Sequence, residues 1–339
     1  MGGFKTVVID GYGVKVSTER GLLVIRNGSD KQKIGLTEIE QVVIATSGVS
    51  ITSGAIRLLL RNNVDVVFLD SRGLPIGRIY PPYVNRTVDT RRGQYMLFYN
   101  DKASIQLVTE IMYSKIYNQA GHLRRLAKQL DRPGLRENAY RMLTEYLEDT
   151  SSIRGTLEIA REKIRIAEAK AAHIYWESLA TTIPPELGFD SRKPGTGEDI
   201  VNRCLDYMYG LLYSEAWKAL VLAGLDPYAG FMHVDRSGKP VLVYDFVEMF
   251  RPSHVDYPLF SRLRNGWVPE WKDDREGLLS LETRRELIKL FRENLDRKAG
   301  FKGSDRRRRL GSILVHFAFK LASYARGEST SYTGFQMVW

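Results

Sequence analysis

The sequence predicts an α+β fold, an N-terminal β-strand domain followed by a larger all-α domain, and three observations lead there. Residues 4 to about 80 fall into short β-branched runs separated by Asn-Gly, Ser-Gly and Asp-Gly turn signals. The composition changes around YPPYVNRTVDTRRGQ, where Pro81 and Pro82 block both helix and central strand. Beyond it the apolar residues recur with helical period. At 339 residues the chain exceeds the roughly 250–300 residues at which single cores stop growing, so residues 1–85 and 86–339 are expected as separate domains.

In the first part TVVIDGYG, LLVIRNGSD, QVVIATSG and DVVFLDSRG read as strands bounded by turns. ITSGAIRLLLRNN, residues 51–63, is the exception: Ser53 is placed to cap a short helix with Ile56, Leu59 and Leu60 on one face. In the second part helices are expected over Ala103–Leu130, Arg136–Glu148, Gly155–Leu179, Ile200–Leu222, Leu281–Asp296 and Arg307–Arg326. Irregular loops are expected near Pro184–Gly197 and Pro252–Gly277, and no repeat of solenoid period is present.

Fifty lysines and arginines stand against 40 acids, a net charge of +10. That excess favours a polyanionic partner, nucleic acid before membrane, because no basic segment carries a continuous apolar face. Cys204 is the single cysteine, which excludes an intrachain disulfide or a cysteine-built zinc site and suits a reducing compartment. MGGFKTVVIDGYG has no basic stretch leading into an apolar core, and no run approaches the roughly 20 apolar residues of a membrane span. A cytoplasmic protein without a membrane anchor is expected.

Two places carry unusual acids. On the helix REKIRIAEAKAAHIYWESLA, Leu157, Ile164, Ala171, Tyr175 and Leu179 share one face, and Glu168 falls in the middle of it, while Glu162, Lys163, Lys170, His173 and Glu177 point away. Glu168 needs a buried partner, an arginine of a neighbouring helix, or else it serves as a metal ligand or general base in a cleft. The second place is FMHVDRSGKPVLVYDFVEMFRP, where the turn Ser237–Pro240 folds His233 back toward Asp245 and Glu248, which share a face if the segment is helical. One imidazole with two or three carboxylates suits Mg²⁺ or Mn²⁺ acting on phosphate esters. Among the other histidines, His173 reads as a surface residue, His122 lies beside Arg124 and Arg125, His254 follows Arg-Pro, and His316, in ILVHFAFKLA, reads as a core imidazole.

These segments resemble a known family, the CRISPR-associated adaptation integrases, the metal-dependent nuclease-like subunits that insert captured DNA fragments into a CRISPR array. EAKAAHIYW from Glu168 is similar to the family's glutamate helix, and EDIVNRCLDYMYGLLYSE to its Asp-x-x-Asn-x-x-Leu-Asn-Tyr-x-Tyr helix through Asp199, Asn202, Leu205, Tyr207 and Tyr209. AGLDPYAGFMHVDRSGKPVLVYDFVEMFRPSHVD is the most specific match, with Gly-Leu-Asp-Pro, then His, a glycine turn, Asp-x-x-Glu, Arg-Pro and a final Asp. GVSITSGAIRLL, VDVVFLDSRGLPIGRIYPP, RRGQY, KIYNQ and the C-terminal YTGFQMVW extend the likeness over nearly the whole chain. Asp206 stands where the family has Asn, and Ile166 where a Gly commonly precedes the glutamate.

The resemblance implies that Glu168, His233 and Glu248 bind a divalent ion, Mg²⁺ or Mn²⁺, with Asp245 in support or as an alternate ligand. It implies DNA endonuclease and strand-transfer chemistry, direct attack of a 3′-hydroxyl or water on a phosphodiester. It also implies a homodimer held by the β domains and assembly with a small ferredoxin-like CRISPR adaptation protein on double-stranded or branched DNA. If His233 keeps an ordinary pKa near ~6.5, activity should fall below about pH 6. Arg91, Arg92, Arg124, Arg125, Arg251 and the run Arg306, Arg307, Arg308 and Arg309 are the candidates for DNA phosphate contacts. Two readings compete: a basic DNA-binding scaffold in which Glu168 serves a salt-bridge network, and a metal-free tyrosine recombinase suggested by 18 tyrosines, which would leave the acids around His233 without a task.

Overall fold

The computed structural model describes residues 5–70, 73, 75–80, 87–195, 199–234, 237–273 and 277–339. The first part is a β domain of two four-stranded sheets. One has the order β1 (Lys5–Ile9), β5 (Ile39–Ile44), β7 (Asp65–Leu69), β8 (Pro75–Ile79), parallel except for the last pair; the other has the order β4 (Asp30–Ile34), β3 (Leu22–Asn27), β2 (Val14–Glu19), β6 (Val49–Ile51). Alternation along a strand sends successive side chains to opposite faces, and here both faces of the first sheet are used. Val42, Ile44 and Val66 pack with Val14, Val16 and Leu23 of the second sheet and with Ala55 and Leu59 of α1 (Ser53–Arg61). Val43, Val67 and Leu69 belong instead to the core of the helical part. A sheet covered on both sides reads in sequence as a continuous Val/Ile run, which is why VVI and DVVFL are the clearest strand signals and the half-exposed β2 and β4 show none.

Thr52, not Ser53, caps α1: it has extended backbone, and its hydroxyl accepts the Ala55 N–H at 3.2 Å. The expected boundary at residues 85–86, with Pro81 and Pro82, lies outside the described residues. Between the two parts Arg78 of β8 pairs with Asp65 at 3.2 Å and donates to the Ser214 carbonyl and hydroxyl at 2.7 and 2.8 Å.

The second part is built on α2 (Thr87–Phe98), α3 (Asp101–Leu130), α4 (Pro133–Ser151), α5 (Leu157–Ala180), α6 (Ile200–Leu222), α7 (Val241–Val247), α8 (Tyr257–Arg264), α9 (Leu281–Asp296) and α10 (Leu310–Ala325). It is not wholly helical: β9 (Trp271–Asp273) pairs with β10 (Leu278–Leu279), and β11 (Lys298–Phe301) pairs with both β12 (Arg308–Arg309) and β13 (Met337–Val338). The expected helix from Arg307 therefore begins at Leu310, because Arg308 and Arg309 are held as a strand against Lys298 and Ala299. The segment expected to be irregular after Pro252 begins with a π-helical turn, Pro252–Asp256, that runs on into α8.

Helix α2, which carries Gly93, is not among the expected helices, since it starts within the stretch YPPYVNRTVDTRRGQ read as a linker. Its glycine is needed for packing: a Cβ there would collide with the Ala325 carbonyl oxygen at the end of α10. Among the described residues no helix is long and apolar enough to cross a membrane.

Candidate active site

Three segments bring the acids and the histidine to one cleft. Helix α5 starts at an N-cap, Thr156, whose side chain accepts the Ile159 N–H, and buries Leu157, Ile164, Ala171, Tyr175 and Leu179. Glu168 sits at the rim of that stripe with its side chain 23% exposed. Its partner is a lysine and not the expected arginine. Lys115, on the facing side of α3, places Nζ 2.6 Å from Glu168 Oε1 and 2.6 Å from Glu248 Oε2. Glu248, directly after α7, is 3% exposed and also pairs with Arg251 at 2.5 Å through Oε1. Burial alone would raise the Glu248 pKa, but Arg251, Lys115 and His233 outweigh it and hold the carboxyl down at about 2. Burial likewise works against the Lys115 ammonium, yet Glu168 and Glu248 raise its pKa to about 12. The site is a cluster of two acids and two cations.

His233 lines the same cleft, a volume of roughly 970 Å³ bounded also by Arg161, Arg165, Lys239 and Tyr244. Its ring is aimed by Asp245, which is fully buried and accepts four hydrogen bonds: the N–H groups of Phe231 (2.6 Å), Met232 (2.8 Å) and His233 (3.0 Å), and His233 Nδ1 (2.6 Å). Asp245 is therefore spent on the loop and on the imidazole. With Nδ1 donating to it, Nε2 is left unprotonated in the neutral ring and has no protein partner among the described residues. The loop is pinned from outside as well. Gln94 of the RRGQY motif donates to the carbonyls of Asp226 and Ala229 and accepts from Asp226 N–H, Tyr95 donates to the Asp226 carboxylate at 2.6 Å, and Arg161 donates to the Phe231 carbonyl at 2.6 Å.

Behind the acids lies a buried polar chain. Tyr175 and Tyr209 donate to Asp256 at 3.0 and 2.6 Å, and His122 Nδ1 donates to the Tyr175 oxygen at 2.9 Å. Burial pushes Asp256 up to about 6, with the two tyrosines, Arg251 and Arg192 holding it from rising further. His122 and His254 are the core imidazoles, burial driving them down to about 3 and about 4; His316, expected in the core, is only half-buried, and His173 is exposed as expected. The KIYNQ motif contributes Asn118, which donates to the carbonyls of Met249 and Phe335 and accepts from Met337 N–H, all at 2.8 Å. It ties the residue next to Glu248 to the C-terminal segment. Asp206, the departure from Asn, pairs with Arg192 at 2.5 Å and accepts the Gly195 N–H.

Glu168, His233, Asp245 and Glu248, the residues singled out from sequence, lie together at this cleft, and Lys115, which is not singled out, lies between two of them. The signal is present: Lys115 lies on the stripe of Val108, Ile111 and Met112, a charge on a buried helix face like Glu168 itself. Among the DNA-contact candidates, Arg91, Arg92 and Arg124 are exposed on helices, Arg125 stacks 5.1 Å over Tyr257, and Arg306, Arg307 and Arg308 are exposed around β12. Arg251 is committed inside the cluster, 22% exposed and also bonded to the Tyr213 hydroxyl.

The donor chemistry, one imidazole nitrogen and two carboxylates, suits a hard or borderline divalent ion. Among the described residues, however, no three His, Cys, Asp or Glu side chains converge as a ready-made ion site, and the cation between Glu168 and Glu248 is Lys115.

Comparison with known proteins agrees with this architecture. A CRISPR-associated endonuclease Cas1 of Saccharolobus solfataricus is 35% identical over 334 residues, 98% of each chain, and one of Archaeoglobus fulgidus is 36% identical over 349 residues, 98% of this chain and 99% of the relative. The structure of a casposase bound to integration product superposes with a TM-score of 0.83 at 23% identity, covering 98% of this chain and 93% of the other, which establishes the shared fold. The family model described as CRISPR associated protein Cas1 matches residues 7–293, and this chain belongs to the Cas1 family.

Proposed function

We propose that this protein is a divalent-metal-dependent DNA endonuclease and strand transferase of CRISPR adaptation, which inserts captured fragments into a CRISPR array. The observation that carries the reading is that Glu168, Glu248 and His233, 80 residues apart at the extremes, all line one cleft walled by Arg161, Arg165 and Lys239. Glu168, His233 and Glu248 would hold Mg²⁺ or Mn²⁺. An ion held there polarises a phosphodiester and lowers the pKa of the attacking oxygen. Asp245 fixes the imidazole so that Nε2 is the ligating atom. Arg161, Arg165 and Lys239 give the phosphate backbone its counter-charges, positioning DNA without reading sequence. A homodimer through the β domains, and assembly with a small ferredoxin-like CRISPR adaptation protein on double-stranded and branched DNA, belong to the same proposal and rest on family membership.

The competing scaffold reading has one observation in its favour: Glu168 and Glu248 do form a salt-bridge network. Glu168→Ala and His233→Ala separate the two. On a branched DNA mimicking a half-integrated fragment, the wild type should transfer strands with Mn²⁺ and not with EDTA, and both variants should lose at least ~100-fold in rate while still binding DNA. Equal activity in all three proteins would assign the cluster to structure alone.

A further inference from the structure

Both oxygens of Glu248 lie in ion pairs, although Oε2 makes no hydrogen bond. Oε1 is held by Arg251 at 2.5 Å and Oε2 by Lys115 at 2.6 Å, and the same Lys115 Nζ holds Glu168 Oε1 at 2.6 Å. An ion bonding carboxylate oxygens at about 2.0–2.6 Å cannot occupy the bridge between Glu168 and Glu248 while an ammonium sits there at hydrogen-bond distance. Like charges so close in a half-dry site repel strongly, so one of the resident cations must leave.

Anchoring decides which. Arg251 also donates to the Tyr213 hydroxyl at 2.7 Å and lies 4.8 Å over the Tyr209 ring and 5.7 Å over that of Tyr213. Lys115 has only the two carboxylates as polar partners among the described residues. It stands on a flexible four-carbon stem, and it borders two cavities, the catalytic cleft and a second one of roughly 450 Å³ beside Gln119, Trp176 and Arg192. Arg251 borders the same two cavities, so what separates the two cations is anchoring: Arg251 is tied to Tyr213 and stacked on Tyr209, and Lys115 is held by the carboxylates alone.

Building on the ion site proposed above, we propose that Lys115 is a resident counter-cation of that site. It bridges Glu168 and Glu248 when no divalent ion is bound and is displaced when one enters. Lys115 therefore stabilises the ion-free protein and weakens ion binding, so that the site loads only where the ion is abundant or a substrate phosphate helps to hold it.

The test uses the full-length protein and Mn²⁺ alone, without DNA. Wild type, Lys115→Met and Lys115→Arg are followed by thermal unfolding in EDTA and in increasing Mn²⁺, and Mn²⁺ affinity is measured by titration calorimetry. Lys115→Met should melt lower than wild type in EDTA, because Glu168 loses its ion-pair partner and buried Glu248 keeps only Arg251, and should gain a larger midpoint shift from Mn²⁺ with affinity at least ~10-fold tighter. Lys115→Arg keeps the charge and should restore the EDTA midpoint with weak Mn²⁺ binding. Should Lys115→Met fail to fold without the ion, Lys115→Gln, which keeps a donor, serves for the same affinity comparison. No Mn²⁺ shift in the wild type would overturn the ion site itself. A normal shift in the wild type with equal or weaker Mn²⁺ affinity in Lys115→Met would leave the ion site standing and overturn the role given to Lys115.

Discussion

Asp245 accepts hydrogen bonds from three consecutive backbone N–H groups and from the ring of the last of those residues, His233. A carboxylate used this way fixes the imidazole in place, and it also sets its proton affinity. Burial lowers the His233 pKa, but the hydrogen bond and charge of Asp245, helped by Glu248, more than compensate, and the net shift is upward from 6.5. The sign follows. In the ion-free protein the imidazolium–Asp245 pair stabilises the fold fully below the ordinary value, and that contribution disappears as pH rises through the raised folded value. On the ion site proposed above, an ion would need the neutral ring, so ion and proton would compete for His233. The Mn²⁺-induced rise in melting temperature should therefore begin to fade at a pH above the ordinary value of ~6.5, earlier on acidification than the fall below about pH 6 expected from an unperturbed histidine. A shift constant down to about pH 5 would remove His233 from the ligand set.

The element that presents His233 is the segment from Leu225 to His233, which places Leu225, Phe231 and Met232 in the core of the helical part. It is held by Gln94, Tyr95, Arg161 and Asp245, and it crosses α7 so closely that a Cβ on Gly230 would collide with Val241 Cγ1 and stand 2.8 Å from Asp245 Oδ2. Gly230→Ala should push the segment off Asp245, costing about 1–3 kcal/mol of stability as overpacking usually does. It should also lower strand transfer by at least ~10-fold, since misplacement of about 1 Å can cost more than that, although residue 230 is no ligand. A melting curve and a strand-transfer assay check both, and wild-type rates in a destabilised Gly230→Ala would show that the loop does not position the histidine.

How far such elements are legible depends on whether their cause is local. Helices α6 and α9 occur at the residues where they are expected, because their apolar period runs unbroken between an Asp199 or Ser280 cap and the chain's next turn. Glu168 is legible by the same reasoning turned around, as a charge in the wrong place. Helix α2 starts inside the proline-led stretch read as a linker, and its Gly93 has its reason 232 residues away at Ala325. The π turn at Pro252–Asp256, which buries Ser253, His254 and Asp256 together, exists because Asp256 must meet Tyr175 and Tyr209 from two other helices. Asp245 reads as a possible ligand, since nothing in its own segment shows the three N–H groups of residues 231–233 waiting for it.

At the scale of the whole molecule the net charge of +10 is unevenly spent. The run Arg306 to Arg309 is the conspicuous basic feature in sequence, yet Arg307 donates to the Lys298 carbonyl and Arg309 approaches Asp296 at 3.9 Å. A second cluster is assembled only by folding. Arg125 from α3 and Arg297 after α9 stack on the same ring, Tyr257, at 5.1 and 4.9 Å, with Arg264 from the end of α8 beside them. Burial lowers the pKa of Arg264 and of Arg297, and Arg297 is depressed further by Arg125 and Arg307. Arg125 Nε, Arg264 Nη1, Arg297 Nε and Arg297 Nη2 are buried without a hydrogen-bond partner, and no acid among the described residues lies within ion-pair distance of the three guanidinium groups. Cations gathered without acids make a local positive field that attracts an anion, and tyrosine stacking leaves guanidinium edges free to take phosphate oxygens. Replacing Arg125, Arg264 and Arg297 together by Gln should flatten the dependence of log affinity on log salt for duplex DNA by about 0.9 for each phosphate no longer neutralised. Replacing Arg306, Arg307 and Arg308 should flatten it less, because part of that run is already used within the protein. Strand transfer at saturating DNA should survive the first triple change, since none of the three residues lines the cleft of Glu168, His233 and Glu248. An unaltered salt slope in a variant that melts like the wild type would place the DNA path elsewhere on the basic surface, with Arg91, Arg92 and Arg124 the next positions to replace.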